Sequence, residues 1–272
     1  MTCEIVVTGA SGFVGRALVS QLLRNGFSVT GLSRRRTSGI TFVENYTEAP
    51  VLDGAILVHL AQSRDTSGGF SDEDIELCRI LSTKPWRHII YASSAVVYGD
   101  DRDYPRRPDE AILVSSDYAR VKLACEKIIS TAGGTCLRLT NLFGPGMGTN
   151  TVISDILRQI PGEGPLILRD AMPIRDFLWI EDAASCLISA CQILPGEILN
   201  VGSGKGMAVG DIAQQALALA GESSRPVASV MSSGRQSCLR LDISKTRAVL
   251  NWAPAVDIST GLLSLLGLDK DG

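Results

Sequence analysis

Short apolar runs alternate with helix-forming segments along the first half of the chain. Segments with helical periodicity include "DYARVKLACEKIIS" and "FVGRALVSQLLRNG", and the second has Val14, Leu18 and Leu22 on one stripe. Before, between and after these two segments lie runs rich in β-branched residues, which are "EIVVTG", "FSVTGLS", "ILVHLAQ", "HIIYASS" and "TCLRLTN". Strands that alternate with helices predict a parallel sheet covered on both faces. The predicted fold class is therefore α/β with a doubly wound parallel sheet.

The alternation loosens after Gly144, where glycine-rich stretches separate shorter elements. These elements are predicted to be a helix at 152–159, a strand at 166–169 and helices near 211–220 and 244–250. We therefore predict a main domain and a small C-terminal lobe that interleave. The main domain covers residues 1–145 and receives segments near 174–203, and the lobe is formed mainly by residues 146–272.

Composition narrows the choice of partners and compartment. The chain has 272 residues, 45% of them hydrophobic, which is enough for a substantial core. The net charge is -3 and the basic residues are scattered, apart from one short cluster, so neither a nucleic-acid nor a membrane surface is predicted. Seven single cysteines without a C-x-x-C pair indicate reduced thiols and no zinc or other metal site. With no leader-like or spanning apolar segment evident, we expect a cytoplasmic protein.

The stretch "TGASGFVG" follows the first predicted strand and opens the first predicted helix. In a Rossmann-type sheet this loop binds a pyrophosphate at the helix N-terminus. Gly9 would permit the tight turn, Gly12 the close approach of the phosphates, and Gly15 the close packing of helix on strand. The alternative is a glycine turn that serves packing alone. The predicted cofactor-binding residues of this stretch are Gly9, Ser11, Gly12, Phe13, Val14 and Gly15.

The second strand ends in "LSRRR", where the adenosine ribose is expected to lie. NAD-selecting sites usually place an acidic residue here, whereas this chain has Ser33 and Arg34. A hydroxyl and a guanidinium would bind a 2′-phosphate, which a carboxylate would repel. We therefore predict NADP as the cofactor, with NAD possible, and Ser33 and Arg34 as cofactor-binding residues. Arg36 is expected to lie in a solvated loop.

A further strand and helix bring hydroxyl and amine groups to the same edge of the sheet. Tyr118 and Lys122 are four residues apart, so a helix places them on one face. The strand "HIIYASS" ends at Ser94. Beside a nicotinamide, Lys122 would stabilise the ionised Tyr118, which exchanges a proton with the substrate oxygen while Ser94 holds that oxygen. We predict Ser94, Tyr118 and Lys122 as catalytic, with Ser94 also binding substrate and the other two also binding cofactor.

Eight motifs together resemble those of the extended short-chain dehydrogenases/reductases that act on nucleotide-activated sugars, a group within the NAD-dependent epimerase/dehydratase family. They run through nearly the whole chain as "TGASGFVG", "VHLAQ", "YASSAVVYGD", "YARVK", "LRLTNLFGPG", "RDFLWIEDAA", "LNVGSG" and "LDISKTRAVLNWAP". The resemblance implies a nucleotide-sugar substrate and a nicotinamide cofactor that also contacts Leu60 and Ala61. It favours Ser94 over Ser93 as the catalytic serine, from the spacing to "VYG".

The resemblance also implies substrate-binding residues and an oligomer. Asn141, Arg175 and Arg235 would meet the diphosphate or the base of the nucleotide sugar. The alternatives are that Asn141 caps a turn and that Arg175 pairs with Asp176. A homodimer is implied through the helices near 72–83 and 117–131.

Departures from the family's patterns narrow the reaction. Family members that dehydrate a hexose have an acidic pair before "VYG", and decarboxylating members have a glutamate there, whereas this chain has Ala95 and Val96. The cysteine and histidine that serve epimerisation next to a ketone correspond to Ala95 and Gly146. His59 and His88 lie inside predicted strands, where a role in the core is expected.

Two reactions need only the Ser, Tyr, Lys set. Our first hypothesis is the NADPH-dependent reduction of a 4-keto sugar nucleotide, favoured by Ser33 and Arg34. The alternative is C4 epimerisation of a nucleotide sugar with a retained NAD, which "SSAVVYG" resembles. A third hypothesis, a non-catalytic dinucleotide sensor, is disfavoured because Tyr118 and Lys122 are both present.

Overall fold

A seven-stranded parallel sheet forms the centre of the computed structural model, which describes residues 3–62, 72–114, 116–231, 234 and 237–268. Its strands are β1 (Glu4–Thr8), β2 (Ser28–Ser33), β3 (Thr41–Phe42), β4 (Ile56–His59), β5 (His88–Ser94), β6 (Thr135–Leu139) and β10 (Ile198–Val201). Their order is β10-β6-β5-β4-β1-β2-β3. The five apolar runs of the sequence form five of these strands, and the predicted α/β fold with a parallel sheet is confirmed.

Helices cover both faces of this sheet. They are α1 (Phe13–Arg24), α2 (Glu73–Ser82), α3 (Asp117–Thr131) and α5 (Ile180–Ile193). Helices α1 and α5 pack together over one face, where Leu18 and Leu187 meet Val7. Helices α2 and α3 pack over the other, where Leu81 meets Val6. Alternate residues of β1 thus enter opposite cores, which is why the middle of the strand, residues 5–7, is apolar without interruption.

The remaining elements form a second, smaller assembly with its own core. Its strands are β7 (Asn141–Phe143), β8 (Leu166–Leu168), β9 (Ile174–Trp179), β11 (Gly206–Ala208), β12 (Val227–Ser229) and β13 (Cys238–Leu239). Its helices are α4 (Val152–Leu157), α6 (Val209–Leu219) and α8 (Ile258–Leu265), and α7 (Ser244–Leu250) packs on β10. Strand β9 pairs with β7, β11 and β13, so it is the centre of this sheet.

The segment 174–203 crosses between the two assemblies. Strand β9 belongs to the smaller sheet, whereas α5 and β10 complete the central one. The division of the chain at residues 145 and 146 stays a prediction. Among the helices of the described ranges, none combines the length and the apolar character needed to cross a bilayer.

Candidate active site

The glycine loop joins β1 to α1 with very little space around its backbone. Gly9 has a φ of +72°, and a Cβ there would lie 2.9 Å from the backbone nitrogen of Ala61. A Cβ on Gly15 would lie 2.3 Å from the carbonyl oxygen of Gly9. Gly12 is the N-cap of α1 and offers no side-chain cap, so the first amides of the helix, from Phe13 onward, lack a side-chain acceptor. This cradle fits the pyrophosphate of a dinucleotide.

Arg16 ties this loop to a second one. Its Nη1 donates to the carbonyl oxygen of Ser11 at 2.7 Å, and its Nη2 donates to that of Gly146 at 3.2 Å. Arg16 was not predicted from the sequence to have a role, because an arginine in the first turn of a helix is usually a solvated residue. Here its guanidinium links the glycine loop to the start of the smaller assembly.

The end of β2 places Ser33 and Arg34 where the sequence predicts them. The hydroxyls of Ser33 and Ser11 lie 2.7 Å apart. Arg34 lies over the ring of Tyr46, 5.4 Å from its centroid, and lines a cavity of about 390 Å³. Ala61 lines the same cavity. The structure therefore groups these residues at one end of the glycine loop, and the half-buried Leu60 adjoins them.

Lys122 lies at the carboxyl end of β5, among the residues predicted to be catalytic. Its Nζ donates to the carbonyl oxygen of Ala92 at 2.9 Å, and its side chain is buried. The same Nζ lies 5.8 Å from the ring centroid of Tyr118, one helical turn earlier on α3. Ser94, the last residue of β5, is half-buried and caps the short 3₁₀ turn at 95–98 by accepting a hydrogen bond from Val96. The structure thus places Lys122 beside Tyr118 at the end of β5 where Ser94 lies, and the roles of the three residues stay predictions.

Ser93 and Ser94 point to opposite sides of β5. Ser93 is buried and donates a 2.5 Å hydrogen bond to the Oε1 of Glu126. Glu126 forms a buried, two-bond ion pair with Arg138, at 2.7 and 2.9 Å. Arg138 in turn donates to the hydroxyl of Tyr98 at 2.8 Å. The preference for Ser94 over Ser93 therefore has a physical reason, because Ser93 is engaged in the interior.

The ion pair of Glu126 and Arg138 was not predicted from the sequence, although the spacing of Glu126 on α3 gave a local signal. Tyr118, Lys122 and Glu126 follow one another at intervals of four, so all three lie on one face of α3. Burial lowers the pKa of Arg138, and the hydrogen bonds and charge of Glu126 more than reverse this, so its pKa is raised overall. The pair thus anchors the same face of α3 that presents Tyr118.

The predicted substrate-binding residues lie on neighbouring strands. Asn141 on β7 is exposed, and its Nδ2 donates to the carbonyl oxygen of Asp176 at 3.1 Å. Arg175 on β9 is bonded to Asp100, with Nη2 and Oδ2 3.0 Å apart. The alternative that Arg175 pairs with Asp176 is wrong, because successive side chains of a strand point to opposite faces. Arg235 lies outside the described residues.

Asp176 instead holds the smaller assembly together. Its carboxylate is fully buried and accepts hydrogen bonds from the backbone nitrogens of Ser203, Gly204 and Leu241. Burial raises the pKa of Asp176, and these hydrogen bonds oppose the rise. Its backbone carbonyl orients Asn141, so Asp176 supports the candidate site without facing it.

His59 lies in the interior, as expected, whereas His88 is half-buried. His59 is buried, and its Nδ1 lies 2.7 Å from the hydroxyl of Thr8. Burial, with a contribution from the Lys122 ammonium, lowers the pKa of His59 to about 3. His88 is bonded to Thr135 at 2.7 Å. Across the described ranges, His, Cys, Asp and Glu side chains form no group of three that could hold a metal ion.

Comparison with known proteins identifies relatives over nearly the full chain. The NAD dependent epimerase/dehydratase family matches residues 5–66 and 72–202. UDP-glucose 4-epimerase of Mycolicibacterium smegmatis is 24% identical over 300 residues, covering 94% of this chain and 95% of that protein.

Solved structures also resemble the whole fold. UDP-N-acetylglucosamine 4-epimerase from Bacillus cereus has a TM-score of 0.84 at 25% identity and covers 98% of this chain and 96% of that chain. UDP-glucuronic acid 4-epimerase from Bacillus cereus, in complex with UDP-glucuronic acid and NAD, has a TM-score of 0.83 at 22% identity. It covers 97% of this chain and 98% of that one.

Proposed function

Because this chain belongs to the NAD dependent epimerase/dehydratase family, we propose that it is an enzyme that epimerises C4 of a nucleotide-activated sugar with a retained NAD. The observation that carries the proposal is the position of Lys122, which is fixed by the Ala92 carbonyl at the end of β5, beside Tyr118. This ranking reverses the order of the two hypotheses drawn from the sequence. The similar proteins described above favour the reversal, since all three are named 4-epimerases.

The residues of the glycine loop would hold the dinucleotide, which when bound would accept a hydride from the sugar and return it. Tyr118 would take the proton of the sugar hydroxyl. It would give the proton back after the keto sugar has rotated in the site and presents its other face. The Lys122 ammonium would stabilise the ionised Tyr118, and the Ser94 hydroxyl would hold the reacting oxygen. Ala95 is buried and Val96 apolar, so neither adds a further acid or base beside Ser94.

A direct assay tests this proposal. Purified protein is incubated with UDP-glucose, UDP-N-acetylglucosamine or UDP-glucuronic acid, without added dinucleotide, and the products are separated by anion exchange. We expect conversion of one of them to its C4 epimer. The Tyr118→Phe variant should lose about 10²- to 10⁴-fold in rate, the usual contribution of a general acid–base group. Tyr104→Phe, a change at an exposed tyrosine outside the site, should keep the wild-type rate.

The same assay separates the alternatives. Undiminished conversion by Tyr118→Phe would refute the catalytic assignment. If no sugar is converted until NADPH and a 4-keto sugar nucleotide are supplied, the protein is the reductase instead. That second function is supported by Ser33 and Arg34. They lie at the end of β2, where the adenosine ribose is expected, beside the glycine loop, and no carboxylate stands at this strand end in the sequence.

Two further expectations from the sequence stay predictions. One is the homodimer formed through α2 and α3, and the other is a cytoplasmic location. The substrate roles of Asn141, Arg175 and Arg235 are part of the present proposal.

A further inference from the structure

The guanidinium of Arg175 is already occupied by the protein. Its Nη1 donates to the carbonyl oxygens of Ile174 at 2.9 Å and Ser237 at 3.1 Å. Its Nη2 donates to the Oδ2 of Asp100 at 3.0 Å and to the Oγ of Ser237 at 2.7 Å. All four N–H bonds of the two Nη atoms are thereby used. A diphosphate can bind these atoms only if one of the present acceptors gives way.

Asp100 is the acceptor best suited to leave. The carbonyl oxygens of Ile174 and Ser237 belong to β9 and to the segment leading into β13, so they are fixed by the sheet. Asp100 follows the 3₁₀ turn after Ser94, and its side chain is 27% exposed, against 22% for that of Arg175. A carboxylate that water can reach loses little by exchanging its partner. A diphosphate oxygen would offer Arg175 a stronger acceptor in its place.

The ion pair lies between two cavities. Arg175 lines one of about 440 Å³, together with two further cations, Lys205 and Arg247, and one acidic residue, Asp257. Asp100 lines the other, of about 270 Å³. The larger cavity therefore has a basic wall suited to a polyanion, and the Asp100 carboxylate lowers the positive charge at its edge.

We propose that Asp100 stands in for the diphosphate on Arg175 in the free protein and is displaced when a nucleotide sugar binds. Asp100 thereby sets the affinity of the site. The hydroxyl of Ser237 donates to Asp100 and accepts from Arg175, and the backbone carbonyl of Ser237 also accepts from Arg175. Ser237 therefore retains the carboxylate nearby. This inference rests on the proposed function in one respect, namely that Arg175 binds the diphosphate.

Calorimetric titration with UDP tests the exchange, with a matched control one residue away. Asp100→Asn keeps the shape of the side chain and removes its charge. Asp101→Asn removes the same charge from a neighbour that is bonded to Arg102 and Arg106 rather than Arg175. We expect Asp100→Asn to bind UDP about fivefold more tightly than wild type, the factor that corresponds to the ~1 kcal/mol upper value for an exposed ion pair. Asp101→Asn should differ from wild type by less than about twofold, because screening weakens a charge that is not in contact.

The variant Arg175→Met distinguishes failure of the exchange from failure of the proposed site. It should weaken UDP binding at least about tenfold, the cost of roughly one charge-assisted hydrogen bond, and circular dichroism checks that it is folded. If Arg175→Met weakens UDP binding but Asp100→Asn binds UDP no more tightly than Asp101→Asn, the exchange is refuted and the proposed diphosphate site at Arg175 is retained. If Arg175→Met binds UDP as tightly as wild type does, Arg175 does not bind the diphosphate, and the exchange is refuted as well.

Discussion

Replacing Glu126 by Gln should destabilise the protein strongly, because it leaves a buried guanidinium without its counter-charge. The side chains of Arg138 and Glu126 are only 4% and 3% exposed. Gln can still accept one hydrogen bond from Arg138 but carries no charge. The remaining partners of Arg138 are the carbonyl oxygen of Pro108 and the hydroxyl of Tyr98. Both are neutral, since burial raises the pKa of Tyr98 to about 12.

The expected magnitude follows from the geometry. At the observed separation of 2.7 Å, two unit charges attract by roughly 6 kcal/mol at an effective dielectric constant of about 20. Desolvation of both groups offsets much of this gain, and removal of one partner of a buried pair usually costs about 3–5 kcal/mol. Domains are stable by only about 5–15 kcal/mol, so roughly a fifth or more of the total would be lost. The melting temperature should fall by roughly 10 °C for a chain of this size.

Urea unfolding followed by circular dichroism measures this loss. The control is Asp155→Asn, because Asp155 pairs with Arg158 at 2.9 Å but both side chains are at least half exposed. That variant should lose less than about 1 kcal/mol, as surface pairs do. The reasoning about burial is refuted if Glu126→Gln falls within 1 kcal/mol of wild type, or if the two variants lose the same amount.

Two further predictions concern the glycine loop and the buried histidine. Gly15→Ala should weaken NAD binding in a fluorescence titration at least about tenfold, or ~1.4 kcal/mol, because the new Cβ would lie 2.3 Å from a backbone oxygen. The control Gly148→Ala should bind NAD normally, because there is open space around Gly148. Equal NAD affinities of the two variants would contradict the close packing of Gly15. The pKa of His59 is about 3 in the folded protein and about 6.5 in the unfolded chain. As the pH falls, the unfolded state therefore binds a proton first. The contribution of His59 to the free energy of unfolding is lost between pH 6.5 and 3. From pH 7 to pH 5 the unfolding free energy of wild type should therefore drop by about 2 kcal/mol relative to His59→Asn, and a constant difference between the two would show that His59 does not titrate as described.

The sequence predicted the elements whose patterns are local. The five apolar runs became strands, and the helix after the glycine loop begins at Phe13 and is followed by Asn25 and Gly26, as the turn residues indicate. Helix α5 was not predicted, because nine of its residues are buried and its polar face is too narrow to give a clear helical period. Helix α8 was missed because Gly261 interrupts its middle; a Cβ there would lie 2.5 Å from the ring of Phe143, so the glycine serves packing.

In the candidate site, too, contacts between residues close in sequence were predictable and those between distant segments were not. Tyr118 and Lys122 share a helix face, so their spacing alone brings them together. The partner of Arg175 could not be read from spacing, because Asp100 is 75 residues away. Strand β13 brings the two segments together, since it pairs with β9 and its Cys238 also pairs with Asp101. Pairs of this kind depend on tertiary contacts, for which a single sequence has no periodic signal.

A nucleotide-sugar epimerase of the proposed kind keeps its dinucleotide bound through the reaction. The most direct measurement is to denature freshly purified protein and identify the nucleotide that it releases by mass spectrometry. We predict the release of NAD or NADH in nearly stoichiometric amount. Protein that releases no dinucleotide, or a minor amount of NADP or NADPH, would contradict it and return the exchanging reductase, with Arg34 as its selector for the 2′-phosphate, to first place.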